Sequence, residues 1–238
     1  MQHELFTDDP YRRSCQATVI DRDHDSIALD ATVCYPTGGG QPGDTGRLTL
    51  PDGQVLTILD TRRDRETGRI RHRLSGSTED LPAPGSTVEI AIDWQRRHRH
   101  MRMHTALHLL SAVVKAGVTG GNLGADSGRL DFDTGGAGLD PTEIEQRLAE
   151  RIEADLPVRT RLIAGEQLRA QPELIKTLSV SPPLDAPMIR LIEIVGADLQ
   201  PCGGTHVART GEIGRLRVAK IESKGSRNRR VVLAFVDD

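Results

Sequence analysis

The 238-residue sequence predicts an α+β fold: a small N-terminal β-barrel domain, then an α+β domain whose helices pack on a mostly antiparallel sheet. Three observations predict it. Between residues 14 and 93, six short strand-like segments are separated by turn signals such as Pro51-Asp52-Gly53 and Thr67-Gly68. Near Trp94 the hydrophobic period changes from two to about 3.6, the helical repeat, and this places the domain boundary between residues 1–93 and 94–238. Beyond it, helix and strand patterns are mixed. With 24 Gly, 13 Pro and only 3% aromatic residues, the cores are expected to be small and aliphatic, although a 37% hydrophobic content suffices to build them.

Taken in order, the strand segments of the first half are residues 15–21, 26–34, 47–50, 55–60, 69–74 and 87–93. Between the second and third lies a glycine-rich stretch from Tyr35 to Gly46, containing Gly38-Gly39-Gly40-Gln41-Pro42-Gly43. Its glycines permit positive φ and close approach of the backbone to a ligand or to another element, and a wide hairpin loop is the plainer reading. It is not a phosphate-binding P-loop, because it lacks the Gly-Lys-Ser/Thr ending and no helix pattern follows it. A helix is expected from Trp94 to about Lys115, with Met103, Leu107, Leu110 and Val114 as an inward stripe, and Gly117 ending it. Residues 128–133 read as a strand. Asp140 is an N-cap candidate, with Pro141 at the first helical position, for an amphipathic helix reaching residue 154 or 155. A strand at 158–163, a short helix near 165–176, and strands at 188–195, 214–222 and 229–236 complete the pattern.

Composition excludes several classes. Three cysteines, Cys15, Cys34 and Cys202, have no framework spacing, so a disulfide-stapled secreted fold is not expected. No apolar run approaches the length of a membrane span, and the N-terminal residues have no signal-peptide pattern, so a soluble cytoplasmic protein with no membrane partner is expected. The net charge of -3 is close to neutral, yet basic residues cluster at 96–102, including Arg97, Arg99 and Arg102. A second cluster contains Lys220, Lys224, Arg227, Arg229 and Arg230. Such patches can grip a phosphate backbone, or merely be solvated.

The chemistry is expected in two separated motifs. On a helix, His104 and His108 are four residues apart and project from one face, as two ligands of one ion must. Cys202 and His206 flank a glycine turn in Pro201-Cys202-Gly203-Gly204-Thr205-His206. One thiolate and three imidazoles form a donor set that suits zinc. Four protein donors make a closed site, and closed sites are usually structural; a weakly held fourth ligand would open a position for water or substrate. Other hydrolytic arrangements read worse: there is no GxSxG elbow, and Thr105 stands where HExxH would require glutamate. A nucleophilic Cys202 with His206 as its base is a further alternative, which leaves the other two histidines unexplained.

The motifs His104-Thr105-Ala106-Leu107-His108, Gly128-Arg129-Leu130-Asp131-Phe132-Asp133, Pro201-Cys202-Gly203-Gly204-Thr205-His206-Val207 and Lys220-Ile221-Glu222-Ser223-Lys224-Gly225 resemble the AlaX proteins. These are freestanding, trans-editing relatives of the alanyl-tRNA synthetase editing domain. The Gly38–Gly43 stretch is similar to the glycine-rich motif in the β-barrel of larger members, so the resemblance covers nearly the whole chain. It implies hydrolysis, in trans and without ATP, of misacylated alanine tRNA, chiefly the seryl form with the glycyl form second. The physical need is that an aminoacylation pocket cannot strongly reject an isostere that adds a hydroxyl, nor a ligand lacking one methyl, so a second hydrolytic sieve must act. By the same resemblance, His104, His108, Cys202 and His206 hold Zn2+, and Gly38, Gly39, Gly40 and Gln41 border the substrate pocket. Thr105 and Asn122 are candidates to read the serine hydroxyl, and Leu107 replaces the threonine usual before the second histidine of synthetase domains. The tRNA is expected at Arg97, Arg99, Arg102, Lys224 and Arg227. A structural zinc in an RNA-binding module without hydrolytic activity is the alternative.

Overall fold

The computed structural model describes residues 2–178 and 182–236. The chain folds as two compact units, Met1–His98 and Arg99–Asp238. In the first, β1 (His3–Glu4) and the one-turn α1 (Leu5–Asp8) precede the strands β2 (Ser14–Arg22), β3 (Ser26–Leu29), β4 (Ala31–Thr32), β5 (Gly46–Thr49), β6 (Val55–Arg63), β7 (Ile70–Leu74) and β8 (Thr87–Ile92). Six of them close a barrel in the order β2-β3-β7-β6-β5-β8, every pairing antiparallel. Side chains alternate in and out along each strand, as the period of two requires; Val19, Ile27, Leu29, Leu48, Ile58, Val88 and Ile90 fill the interior.

The expected single strand at 26–34 is divided at Asp30. Its carboxylate accepts from the Thr18 backbone N–H of β2 at 2.7 Å and its own N–H donates to the Thr18 carbonyl, while the ladder with β7 stops at Ala28. The chain beyond it, β4, pairs instead with β1 in parallel. The β1 and α1 segments had no sequence expectation, since two and four residues are too few to display a period.

A long helix, α2 (Trp94–Val114), passes from the first unit into the second. The second unit continues with β9 (Gly117–Leu123), β10 (Ser127–Asp133), α3 (Pro141–Glu153), β11 (Val158–Ala164), α4 (Gly165–Arg169), β12 (Met188–Ile194), β13 (Asp198–Pro201), β14 (Leu216–Lys224) and β15 (Asn228–Phe235). They form a four-stranded antiparallel sheet, β14-β15-β10-β9, and a three-stranded one, β11-β12-β13. The α+β class with mostly antiparallel sheets is therefore what the chain adopts. Asp140 caps α3 as expected, accepting from the Thr142 N–H at 2.8 Å.

Some details differ from expectation. Lys115, not Gly117, takes the left-handed conformation after α2 (φ 54°), and Gly117 opens β9. That strand carries two consecutive glycines, which erase its alternation. The helix expected near 165–176 is interrupted: α4 ends at Arg169 and a separate turn of 3-10 helix begins at Pro172, whose ring cannot continue an α-helix. The inward stripe of α2 is not a stripe at all, because every residue from Met103 to Ser111 is buried. A helix buried all round carries its polar side chains into the interior.

Candidate metal centre

Close packing of α2 on β10 places the two helical histidines. A Cβ on Gly128 would lie 2.8–3.1 Å from side-chain atoms of Met103 and Leu107, so a larger residue there would displace these two side chains. Immediately after these two residues, His104 and His108 are each only 6% exposed, with ring centroids 5.3 Å apart. The other two donors arrive on the extension of β13. The Cys202 N–H donates to the Arg190 carbonyl of β12, while Arg190 Nη1 donates to the Cys202 and Gly204 carbonyls, both at 2.8 Å. This pins the glycine turn that brings His206 back beside Cys202.

The result is one cluster. A ligating atom from each of His104, His108, Cys202 and His206 lies within 4.8 Å of every other. Cys202 Sγ is 3.5 Å from His104 Nε2 and 3.3 Å from His206 Nε2, and the His206 ring centroid is 4.3 Å and 4.5 Å from those of His104 and His108. Cys202, half-buried, is the least enclosed member.

The outward ring nitrogens of two histidines are held. His108 Nδ1 lies 3.2 Å from Asp198 Oδ2, and His206 Nδ1 lies 3.1 Å from Thr105 Oγ1. With each Nδ1–H donating outward, each Nε2 lone pair turns toward the sulfur, the orientation a metal-ligating imidazole adopts. Burial opposes charge on His108, but the Asp198 carboxylate and the Cys202 sulfur outweigh it and raise its pKa to about 9. Burial alone would raise the Cys202 thiol; the imidazoles of His104 and His206 prevail and hold it well below the usual thiol value. For His206, burial and the neighbouring His104 keep the imidazole well below its ordinary value. A thiolate among buried imidazoles is a soft, electron-rich donor set, and it fits a zinc-like cation.

The candidate pocket residues fare differently. Thr105 is fully buried and its hydroxyl is committed: it donates to the Met101 carbonyl at 3.0 Å and accepts from His206 Nδ1 and from the Val207 N–H. One donor and two acceptor positions are then used, so Thr105 orients His206 and cannot also read a substrate hydroxyl. Asn122 is exposed on β9, opposite Arg129. Gly38 and Gln41, in the first unit, exchange both backbone hydrogen bonds at 2.9–3.0 Å around Gly39 and Gly40, whose φ values are 56° and 81°. The tight turn accounts for these glycines locally.

Of the residues expected at tRNA, Arg97 is a correction. It is completely buried in the first unit, forks onto Asp44 and donates to the Val33 and Pro10 carbonyls, so no phosphate can reach it. The basic run around it is largely absorbed by the fold. Arg96 Nη1 donates to the Gly43 carbonyl at 2.6 Å, Arg99 pairs with Asp126, and Arg102 lies over the Phe235 ring while donating to the Ile213 carbonyl. Lys224 and Arg227 remain at the surface, the latter paired with Asp133 but 68% exposed.

Sequence reasoning missed the residues behind the donors: Asp198, Gln200, Ser111, Lys176 and Arg190. A signal for two of them existed. Asp198-Leu199-Gln200-Pro201-Cys202 alternates, and on a strand the period of two puts Asp198 and Gln200 on the face that leads to Cys202.

Comparison with known proteins places these features. Residues 189–232, which carry the Cys202 turn, match the family model described as the threonyl and alanyl tRNA synthetase second additional domain. This stretch is thus similar to a domain described for tRNA synthetases. Over its whole length the chain is 36% identical to the alanyl-tRNA editing protein AlaX-M of Methanosarcina barkeri, covering all of that protein. It is 32% identical to the AlaX-M of Saccharolobus solfataricus, with 97% of this chain and 98% of that one aligned. It is also 33% identical to the alanine–tRNA ligase of Pyrobaculum arsenaticum, there covering 25% of the longer enzyme. The chain belongs to the AlaX family of alanyl-tRNA editing proteins.

Proposed function

We propose that this protein is a zinc-dependent aminoacyl-tRNA deacylase that acts in trans in the cytoplasm on mischarged alanine tRNA, chiefly the seryl form and secondarily the glycyl form. The observation that carries the reading is the convergence of three imidazoles and one thiolate, from α2 and from the turn after β13, within 4.8 Å of one another. Full-length similarity to proteins named for alanyl-tRNA editing supports the same reading. His104, His108, Cys202 and His206 are the ligands in this reading; residues 94–238 form the editing domain and residues 1–93 the barrel that carries the Gly38–Gln41 loop. A zinc ion in such a set supplies a Lewis acid for the ester carbonyl or lowers the pKa of a water, once one ligand yields. The chain's own part is to hold the donors: Asp198 and Thr105 fix two imidazoles, Arg190 fixes the Cys202 turn, and the buried walls of α2 exclude bulk water. Lys224 and Arg227 are the surface cations offered to the tRNA backbone.

The test is ester hydrolysis by the full-length protein on seryl-, glycyl- and alanyl-tRNA specific for alanine. Seryl-tRNA is expected to decay fastest, activity to vanish with a chelator and to return with zinc. Decay of all three at the uncatalysed rate removes the proposal. Four-donor closure favours a second reading, a structural zinc in an RNA-binding module. His108→Ala separates the two: a folded, inactive protein supports the deacylase, and an unfolded second unit supports the structural role.

A further inference from the structure

The group behind His108 carries one inference beyond the four donors. Asp198, at the start of β13, is buried, and its carboxylate is fully engaged. Oδ2 lies 3.2 Å from His108 Nδ1 and accepts from Gln200 Nε2 at 2.7 Å, while Oδ1 takes the ammonium of Lys176. Gln200 Nε2 also reaches Ser111 Oγ at 3.1 Å, and Ser111 in turn donates to the His108 carbonyl at 2.8 Å. The histidine is thereby gripped twice, at its ring by Asp198 and at its backbone by Ser111, with Gln200 joining the two grips. His206, by contrast, has the neutral hydroxyl of Thr105 at its outward nitrogen.

From this asymmetry we infer that Asp198 is a positioning residue: it holds His108 as an Nε2 donor and strengthens it, while Lys176 sets how strongly. The inference rests on the metal-centre reading above. A carboxylate accepting from a ligating imidazole fixes the ring's tautomer and raises its basicity. The Lys176 ammonium, only a quarter exposed, draws negative charge from that carboxylate and adds a positive charge near the cation site. The two neighbours therefore act on cation affinity with opposite sign. A purely structural role would make loss of either partner weaken the site.

The experiment titrates cobalt(II) into the metal-free full-length protein and reads its visible absorption, which needs no tRNA and no turnover. Asp198→Asn is expected to weaken cobalt binding about 10- to 100-fold, the usual cost of losing such a partner. Lys176→Met, at a partly exposed position, is expected to tighten it roughly five-fold. In a His108→Ala background, Asp198→Asn is expected to change nothing further, because its effect passes through that ring. Equal affinity of wild type and Asp198→Asn, weakening by Lys176→Met, or full additivity with His108→Ala each overturns the inference and leaves the metal centre standing. A wild-type protein that takes up no cobalt overturns the metal-centre reading and this inference with it. Should Asp198→Asn fail to fold, the sign of the Lys176→Met effect still decides.

Discussion

Each unit of this protein buries a polar cluster, and the two clusters are built on opposite plans. In the barrel unit the guanidinium of Arg97 meets the carboxylate of Asp44 and the carbonyls of Val33 and Pro10, while Asp44 also accepts from the Tyr35 N–H at 2.7 Å. Donors face acceptors and the cluster is complete in itself. In the second unit the outward atoms are matched in the same way, His108 to Asp198 and His206 to Thr105. The inward atoms are not: once deprotonated, three imidazole nitrogens and a sulfur all offer electron pairs to one point. Complementary burial marks a structural pair, and convergence of like donors marks a cation site.

The comparison can be broken most forcefully in the barrel. Arg97→Met leaves Asp44 buried without its counter-charge, and the first unit is expected to lose about 3–5 kcal/mol, read as a lowered denaturation midpoint. A loss below 1 kcal/mol would show that the pair is not what closes that cluster. Next comes the cation. Zinc at a hundred times its dissociation constant should raise stability by about 2.7 kcal/mol. Hydrogen exchange should slow in residues 103–111 and 198–206 and stay unchanged in the barrel strands; slowing in both units would contradict the assignment of the site to the second unit alone.

Third is acid. Burial pushes the His72 imidazole, on β7 inside the barrel, down to about 3 from its usual 6.5. The unfolded chain therefore binds a proton that the folded barrel refuses between these values, so this contribution is whole above pH 6.5 and is lost as pH falls toward 3. By pH 5 the loss is about 2 kcal/mol, and His72→Phe should flatten the pH dependence of unfolding in that window. An unchanged slope would relocate the acid sensitivity. The smallest effect on stability belongs to the surface: Arg227→Ala, which breaks an exposed, solvent-screened pair with Asp133, should leave the denaturation midpoint close to that of the wild type. If Arg227 meets tRNA phosphate, the same change lowers the salt slope of tRNA binding by about one. The same test on Arg97 is expected to disturb folding instead, which is the contrast between the two clusters in its sharpest form.

The long, periodic elements were legible. The six barrel strands, α2, the capped α3 and the β14–β15 pair all announce themselves by period, by turn residues or by the Asp140-Pro141 start. What escaped was short or masked by glycine: β1, α1, β9 and β13 have too few residues or too few side chains to display a pattern. The HxxxH and CxxxH motifs were likewise readable because their spacing carries chemistry by itself. The basic run at 96–102 misled, because charge in a sequence does not say whether a carboxylate waits for it inside the fold. Asp44, fifty-three residues away, does so for Arg97.

By itself the sequence determined the α+β class and nominated the four donors, since hydrophobic period and ligand type are local properties that a single chain displays. Only the tertiary structure decided which polar residues serve them. It made Thr105 a support for His206, put Asp198, Gln200 and Ser111 behind His108, and withdrew Arg97 into the barrel. Those roles depend on partners distant in the chain, and no local pattern encodes who will stand next to whom once the core has closed.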